Sequence, residues 1–244
     1  MNRMGLVLAA AAAGFCIVPK VDAVVSLVNT NIVAAANEMS GDVWAIDDTT
    51  SIDYFIQSSI ITAESGTNVE LNAIPTRDQL LLGASILKSS STEVHDVTVI
   101  DSEIIAGDGG SLSLDEVFRA EHRAFKSTGG NGMLLKNANT VLDGTTVSGG
   151  DIFATRASRA SSVAGGYGIT LSETSFLSAA NSVVSGGDGG NINNLGDTGR
   201  ADGGAGIVVS GGTAVLNLDN TGVSGGNAGV VAMRETGSRL NIQH

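Results

Sequence analysis

The sequence predicts an all-β chain wound as a parallel β-helix. Three observations carry this: a phrase that recurs at near-constant spacing, β-branched runs that each end in glycines, and abundant Gly beside scarce Pro. The phrase reads Val-Ile-Asp-Ser-Glu-Ile-Ile-Ala-Gly-Asp-Gly-Gly at 99–110 and Val-Leu-Asp-Gly-Thr-Thr-Val-Ser-Gly-Gly-Asp at 141–151. It returns as Ser-Val-Val-Ser-Gly-Gly-Asp-Gly-Gly at 182–190 and Val-Leu-Asn-Leu-Asp-Asn-Thr-Gly-Val-Ser-Gly-Gly-Asn-Ala-Gly at 215–229. A second phrase interleaves with it: Gly-Gly-Asn-Gly-Met-Leu-Leu at 129–135, Gly-Gly-Tyr-Gly-Ile-Thr-Leu at 165–171 and Gly-Gly-Ala-Gly-Ile-Val-Val at 203–209. Gly107, Gly149, Gly186 and Gly225 of the first phrase are 42, 37 and 39 residues apart. The unit is about 38 residues, and the second phrase divides it into half-repeats of about 20. Periods of this size signal a solenoid, in which each unit covers its neighbour.

Each half-repeat reads as a strand and a corner. Runs such as Asp96–Ile100 and Ile207–Val209 favour strands, because branched side chains pack well on a pleated surface. The glycines at the corners, Gly107, Gly149, Gly150, Gly186, Gly187, Gly225 and Gly226, supply the positive φ of sharp turns. One coil per half-repeat gives about 11 coils. Only 2 Pro accompany 33 Gly, as expected where backbone donors must serve the coils above and below. Aromatic residues are 4%, so the expected interior is narrow: rows of Val, Ile, Leu and Ala, with Asn, Ser and Thr aligned at corners. Hydrophobic content of 42%, arranged in periodic runs, separates the chain from a disordered Gly/Ser tract.

Residues 1–23 read as a secretory leader. Arg3 is the basic start, Met4 to Val18 the apolar stretch, and Val21-Asp22-Ala23 a small-residue cleavage site. Cys16, the chain's only cysteine, follows Phe15, where lipid attachment expects a small residue. With the leader removed, no disulfide is available, and stability must come from the interfaces between coils. Residues 24–95 read as N-terminal capping coils, with short strands at Val43–Ile46, Tyr54–Ile56, Ile60–Ile61 and Val69–Leu71. Trp44 is placed to cover the open end of the stack, and Pro75 to Leu87 is either a short helix or a strand pair. Residues 96–244 hold the Gly-rich repeats. Within them, 111–126 is expected to project as a short helix or loop, with Ser113-Leu114-Asp115-Glu116 as a capping box. A second, polar projection is expected at 187–203.

Formal net charge is −12, and removal of the leader leaves 11 basic and 24 acidic residues, a net of −13. That excludes a nucleic-acid partner, which would need clustered Lys and Arg. Asp188, Asp197 and Asp202 fall in one Gly/Asn-rich stretch, and Gly186-Gly187-Asp188-Gly189-Gly190-Asn191 partly resembles a calcium-binding nonapeptide. Asn191 stands where the ligating Asp would be. The stretch reads either as a calcium site or as a solvated turn, and no other cofactor is expected. Asp96, Asp101 and Asp143 are the candidates for acid–base work on a polysaccharide. Asp101 and Asp143 follow the same strand motif, which makes them corner residues rather than a catalytic pair. His95 and His122 have no Ser or Cys partner at a telling spacing, and Glu121-His122-Arg123 reads as a solvated face of the first projection. No catalytic residues are assigned. Asp188, Asn191, Asp197, Asp202, Glu121, His122 and Arg123 remain as binding candidates, because insertions mark the binding face of a solenoid.

Gly203-Gly204-Ala205-Gly206-Ile207-Val208-Val209, with Asn220-Thr221-Gly222-Val223-Ser224-Gly225-Gly226-Asn227-Ala228-Gly229, resembles the passenger repeats of bacterial autotransporters. The resemblance spans roughly 96–235. It implies a right-handed, pectin-lyase-like parallel β-helix, secreted or displayed at the outer membrane of a Gram-negative bacterium, or held in its periplasm. Relatives of that kind carry a C-terminal outer-membrane β-barrel, and this sequence shows no segment with that pattern. The implied role is adhesion to a host-surface glycan or protein, without catalysis. The alternatives are a pectate-lyase-like enzyme on the same scaffold and a truncated remnant without activity.

Overall fold

The computed structural model describes residues 6–7, 24–34, 44–48, 52–66, 69–71, 79–110, 112–114, 125–152, 155–157, 161–194, 199–229 and 231–233. Among them every regular element is a β-strand, and every strand pair is parallel. The longest sheet runs in the order Leu6–Val7, Val24–Val28, Asp53–Gln57, Ser85–Ile100, Met133–Asp143, Ile169–Ala180, Ile207–Asp219. Trp44–Asp48 lies beside the first half of Ser85–Ile100, and Asp53–Gln57 beside its second half. A six-stranded sheet stacks Asn31–Ala34, Ile60–Ala63, Glu103–Ile105, Thr146–Ser148, Val183–Ser185 and Gly222–Ser224. A four-stranded sheet holds Gln79–Leu82, Phe125–Thr128, Ser161–Ala164 and Gly199–Asp202. A three-stranded sheet holds Thr155–Ala157, Ile192–Asn194 and Val231–Met233, and a pair joins Val69–Leu71 to Leu112–Leu114. Pro75 to Leu87 therefore contributes strands, from Gln79 and from Ser85 onward. Trp44 opens a strand paired with Ser85.

One rung uses a whole repeat, which corrects the expected 20 residues per coil. Met133 is in register with Ile169, Asn139 with Phe176 and Thr146 with Val183. Hydrogen bonds between register-matched positions of successive rungs join residues from 28 to 46 apart. The six-stranded sheet thus has six rungs, not about 11. The two glycine phrases look alike but occupy different corners of one turn. The first closes the short strand of the six-stranded sheet; the second opens the long strand.

The two phrases do alternate at one place. Gly107 N–H donates to Ala84 O, Gly130 to Gly107, Gly150 to Gly130 and Gly166 to Gly150. The series continues through Gly187, Gly204 and Gly226, with N···O distances of 2.7–2.9 Å. First-phrase and second-phrase glycines take turns in this column. A Cβ on Gly150 would lie 2.0 Å from Gly107 O, on Gly187 1.9 Å from Gly150 O, and on Gly226 2.0 Å from Gly187 O. Gly107, Gly149 and Gly186 are as tightly held, with backbone oxygens at 2.0–2.1 Å, whereas Gly225 has 3.3 Å. Close approach of backbone to backbone, rather than positive φ, demands these glycines. The positive-φ corners fall to Asn29, Ser58, Asp101, Asn137, Glu173, Asn181 and Asn220, with Gly144 in the same series.

The corner after the long strand repeats in every rung. A residue at positive φ is followed by Ser or Thr: Asn29-Thr30, Ser58-Ser59, Asp101-Ser102, Gly144-Thr145, Asn181-Ser182, Asn220-Thr221. Each hydroxyl donates to the carbonyl two residues back, at 2.7–3.1 Å. The hydroxyls of Ser59, Ser102 and Ser182 also accept the backbone N–H from the rung before. Ser102→Ala is expected to leave the buried Ser59 N–H unpaired and to cost about 1–3 kcal/mol in urea unfolding.

Alternation along the long strands builds the core. In Met133–Asp143, Met133, Leu135, Ala138, Thr140 and Leu142 point inward and are buried. They stack on Leu171, Leu177 and Ala179 above and on Leu87, Val97 and Val99 below. Thr140 interrupts this apolar column with a buried hydroxyl that has no hydrogen-bond partner. Thr140→Val, nearly isosteric, is expected to raise stability by about 1 kcal/mol, measured as a higher Tm.

The described parts of the two expected projections belong to the stack. Ser113 and Leu114, half of the proposed capping box, lie in the strand Leu112–Leu114, paired with Val69–Leu71. Phe125 begins a strand of the four-stranded sheet, and 115–124 is outside the described residues. Within 187–203, Ile192–Asn194 and Gly199–Asp202 pair with strands of the previous rung.

Candidate functional site

The polar groups on the surface are organised as vertical ladders. Where the first phrase turns, Asp108 Oδ1 accepts Asp151 N–H at 2.9 Å, and Asp151 Oδ1 accepts Asp188 N–H at 2.7 Å. Asp188 in turn accepts Asn227 N–H at 2.7 Å and its side-chain amide at 3.2 Å. Three stacked carboxylates thereby each hold the backbone of the rung above, and the series ends in an amide. Asp188, a binding candidate, is thus an exposed member of a structural ladder.

Two of the other candidates, Asn191 and Asp202, lie among the described residues. Asn191 is exposed, next to the strand Ile192–Asn194. Asp202 ends the strand Gly199–Asp202 and pairs with Arg200. Asp197, Glu121, His122 and Arg123 lie outside the described residues. Gly189 packs on the backbone of Asp202, so the Gly186–Asn191 stretch and the following strand are neighbours. Among the described residues no three His, Cys, Asp or Glu side chains gather as a metal-binding group.

Two of the three candidates for acid–base chemistry, Asp96 and Asp143, bridge rungs in the same way. Asp96 N–H donates to Asp53 Oδ1 at 2.9 Å, and Asp96 Oδ1 accepts the Asn139 amide at 3.2 Å. Asp143 Oδ1 accepts the Asn181 amide at 3.3 Å, and Asn181 Oδ1 that of Asn220 at 2.9 Å. Asp101 and Asp143 share a corner but are one residue out of register: Asp143 pairs with Ile100, while Asp101 lies over Gly144. A carboxylate that bridges rungs is held as an acceptor, as those of Asp96 and Asp143 are.

His95 departs from the sequence reading. Its Nε2 contacts the hydroxyl of Ser89, six residues earlier, and its Nδ1 lies 3.3 Å from Glu93 O. The spacing hid the pair, because the chain bends between the two arms of Ser85–Ile100 and brings its own inward positions together. Both residues are buried, at 0% and 3% exposure, so the pair is closed to any substrate. It completes the polar corner of the lower rungs, where Ala138 and Ser175 occupy the later positions.

The outward rows were not singled out by the sequence reading. On the long sheet Thr98, Val141, Ser178 and Asn217 form one column, and Asp96, Asn139, Phe176 and Val215 another. Val141, Phe176 and Val215 are 43, 37 and 52% exposed. The alternation of these strands already separates them from the buried positions, and their vertical alignment required the register. No protein-family model, curated protein or solved structure matches this chain.

Proposed function

We propose that the chain is a right-handed parallel β-helix, exported by a leader at residues 1–23, that works as a non-catalytic binding module. Display at the outer membrane of a Gram-negative bacterium, in the manner of an autotransporter passenger, is part of this reading. One observation carries it. Asp96 and Asp143, two of the three acidic candidates for a lyase, are tied between rungs, whereas outward residues of the long sheet such as Val141, Phe176 and Val215 are exposed. Those columns mix apolar and hydroxyl groups and repeat at about the 4.8 Å spacing of paired strands. Such a surface suits an extended partner, a host-surface glycan strand or an extended protein segment.

The test is binding of the purified chain to glycan arrays and host cells, beside a depolymerisation assay on pectate. Binding that falls at least tenfold in Val141→Glu and Ser178→Glu, with no depolymerisation, is the expected result. Release of unsaturated uronate ends would overturn the reading in favour of the enzyme. Calcium and a chelator are expected to leave the Tm unchanged. A rise of several degrees with calcium would instead assign the stretch around Asp188, Asn191 and Asp202 to a metal.

A further inference from the structure

We infer that the acidic side of the stack is a docking surface for an extended, arginine- and lysine-rich segment of a partner protein. This rests on the binding role proposed above and names the partner's chemistry. Five rungs in succession cross the second half of a long strand, a corner and a strand of the six-stranded sheet. These passes are residues 53–66, 96–110, 139–151, 176–190 and 215–229. They hold ten Asp and Glu and no Lys, Arg or His. None of the ten is buried. Basic residues stand on the other passes. Lys88 and Lys136 are on the first half of long strands, and Lys136 pairs with Glu173 at 3.7 Å. Lys126 and Arg200 are in the four-stranded sheet, and Arg156 is in the three-stranded one.

Surfaces that only keep a protein soluble intersperse the two signs, whereas a single-sign field steers and holds an oppositely charged partner. The long sheet supplies the contact area. On the second halves of its strands the outward positions carry Asp53, Asp96, Asp143 and Asp219 beside the exposed Val141 and Phe176. An aromatic ring takes an Arg or Lys side chain over its face, and the aliphatic stems of those side chains cover apolar neighbours. Asp96 and Asp143 are held through Oδ1 by the amides of Asn139 and Asn181. Their position is fixed before a partner arrives, so less side-chain freedom is lost on binding. Each has a second acceptor oxygen for a guanidinium fork. An acidic or sulfated glycan would be repelled by this face, and a neutral one offers no charge for ten carboxylates to meet. An extended protein segment presents alternate side chains to one side, so every second residue can be a base.

The test is fluorescence anisotropy of the full chain with a labelled alternating Arg-Ser peptide, its Glu-Ser counterpart and a neutral glucan oligosaccharide, at low and at physiological salt. The Arg-Ser peptide is expected to bind about tenfold or more tightly than the other two, and to weaken as salt rises. Two pairs of substitutions then remove the same charge from different places. Asp96→Asn with Asp143→Asn lies on the face, and each amide oxygen can still accept the ladder bond. Glu173→Gln with Asp202→Asn lies off it, beside Lys136 and Arg200. The first pair is expected to weaken the Arg-Ser peptide about tenfold and the second less than about twofold, with unchanged circular dichroism in both.

Equal losses from the two pairs, binding that ignores salt, or glucan or Glu-Ser binding as tight as that of Arg-Ser would each overturn the proposal. A chain that binds glycans or host cells but not the Arg-Ser peptide would overturn it and leave the binding role standing. Release of unsaturated uronate ends from pectate, read in its own assay, would overturn the binding role itself.

Discussion

Gly166→Ala is expected to unfold the stack, while Gly222→Ala leaves its stability within about 0.5 kcal/mol of the parent. The two glycines both sit in recurring phrases and differ only in what surrounds them. A Cβ on Gly166 would stand 1.8 Å from Gly130 O and 2.6 Å from Gly130 C, both backbone atoms. Neither partner can retreat. Gly166 N–H is bonded to Gly150 O at 2.8 Å, and its carbonyl accepts Gly187 N–H at 2.8 Å. Moving one member of the column breaks bonds in two rungs. A loss of about 4 kcal/mol or more is therefore expected, at the extreme of single substitutions. At Gly222 nothing lies within 4 Å of the added methyl. Thermal unfolding followed by circular dichroism measures both, and equal effects at the two sites would sink the close-approach account.

Leu142→Ala is expected to cost about 2–5 kcal/mol, and Val141→Ala, one residue earlier, about 0.5 kcal/mol or less. Leu142 is 1% exposed and stands between Val99 below and Ala179 above. The small Ala179 leaves no bulky neighbour to move into the space, so truncation leaves a cavity. Val141 points outward and is 43% exposed. Urea unfolding of the pair measures the contrast. In a stack held by nearest-neighbour interfaces, loss at a middle rung also divides the molecule, so Leu142→Ala is expected to broaden the transition. A sharp transition for Leu142→Ala with no loss of midpoint would contradict the placement of that column.

The all-β character and the parallel stacking were legible in the sequence, and the reasons are visible in particular residues. Strands placed at Val43–Ile46, Tyr54–Ile56, Ile60–Ile61 and Val69–Leu71 coincide with strands of the stack. The expectation of Ser and Thr at the corners also holds, from Thr30 to Thr221. The number of rungs was not legible, because Gly-Gly-Asn-Gly at 129 and Gly-Gly-Asp-Gly at 186 look equivalent in sequence but lie at different corners. Composition could not say which pass stacks on which; only the register does. The role assigned to the paired glycines was wrong for a related reason. Glycine serves both positive φ and close approach, and the corners here give positive φ to Asn, Asp, Ser and Glu. The Ser89–His95 pair was missed because a bend inside Ser85–Ile100, not a sequence period, brings the two together. Asp101 and Asp143 were rightly read as corner residues, although the shared motif places them one step out of register.

The central claim is that one rung consumes one whole repeat. Val141 and Ser178 are register partners on the outer face of adjacent long strands. Parallel neighbours lie about 4.8 Å apart, within reach of a disulfide. In a Cys16→Ser background, Val141→Cys with Ser178→Cys is predicted to cross-link on mild oxidation, and Val141→Cys with Ser162→Cys, half a repeat away, to remain reduced. Cross-linking of the second pair but not the first would contradict the account.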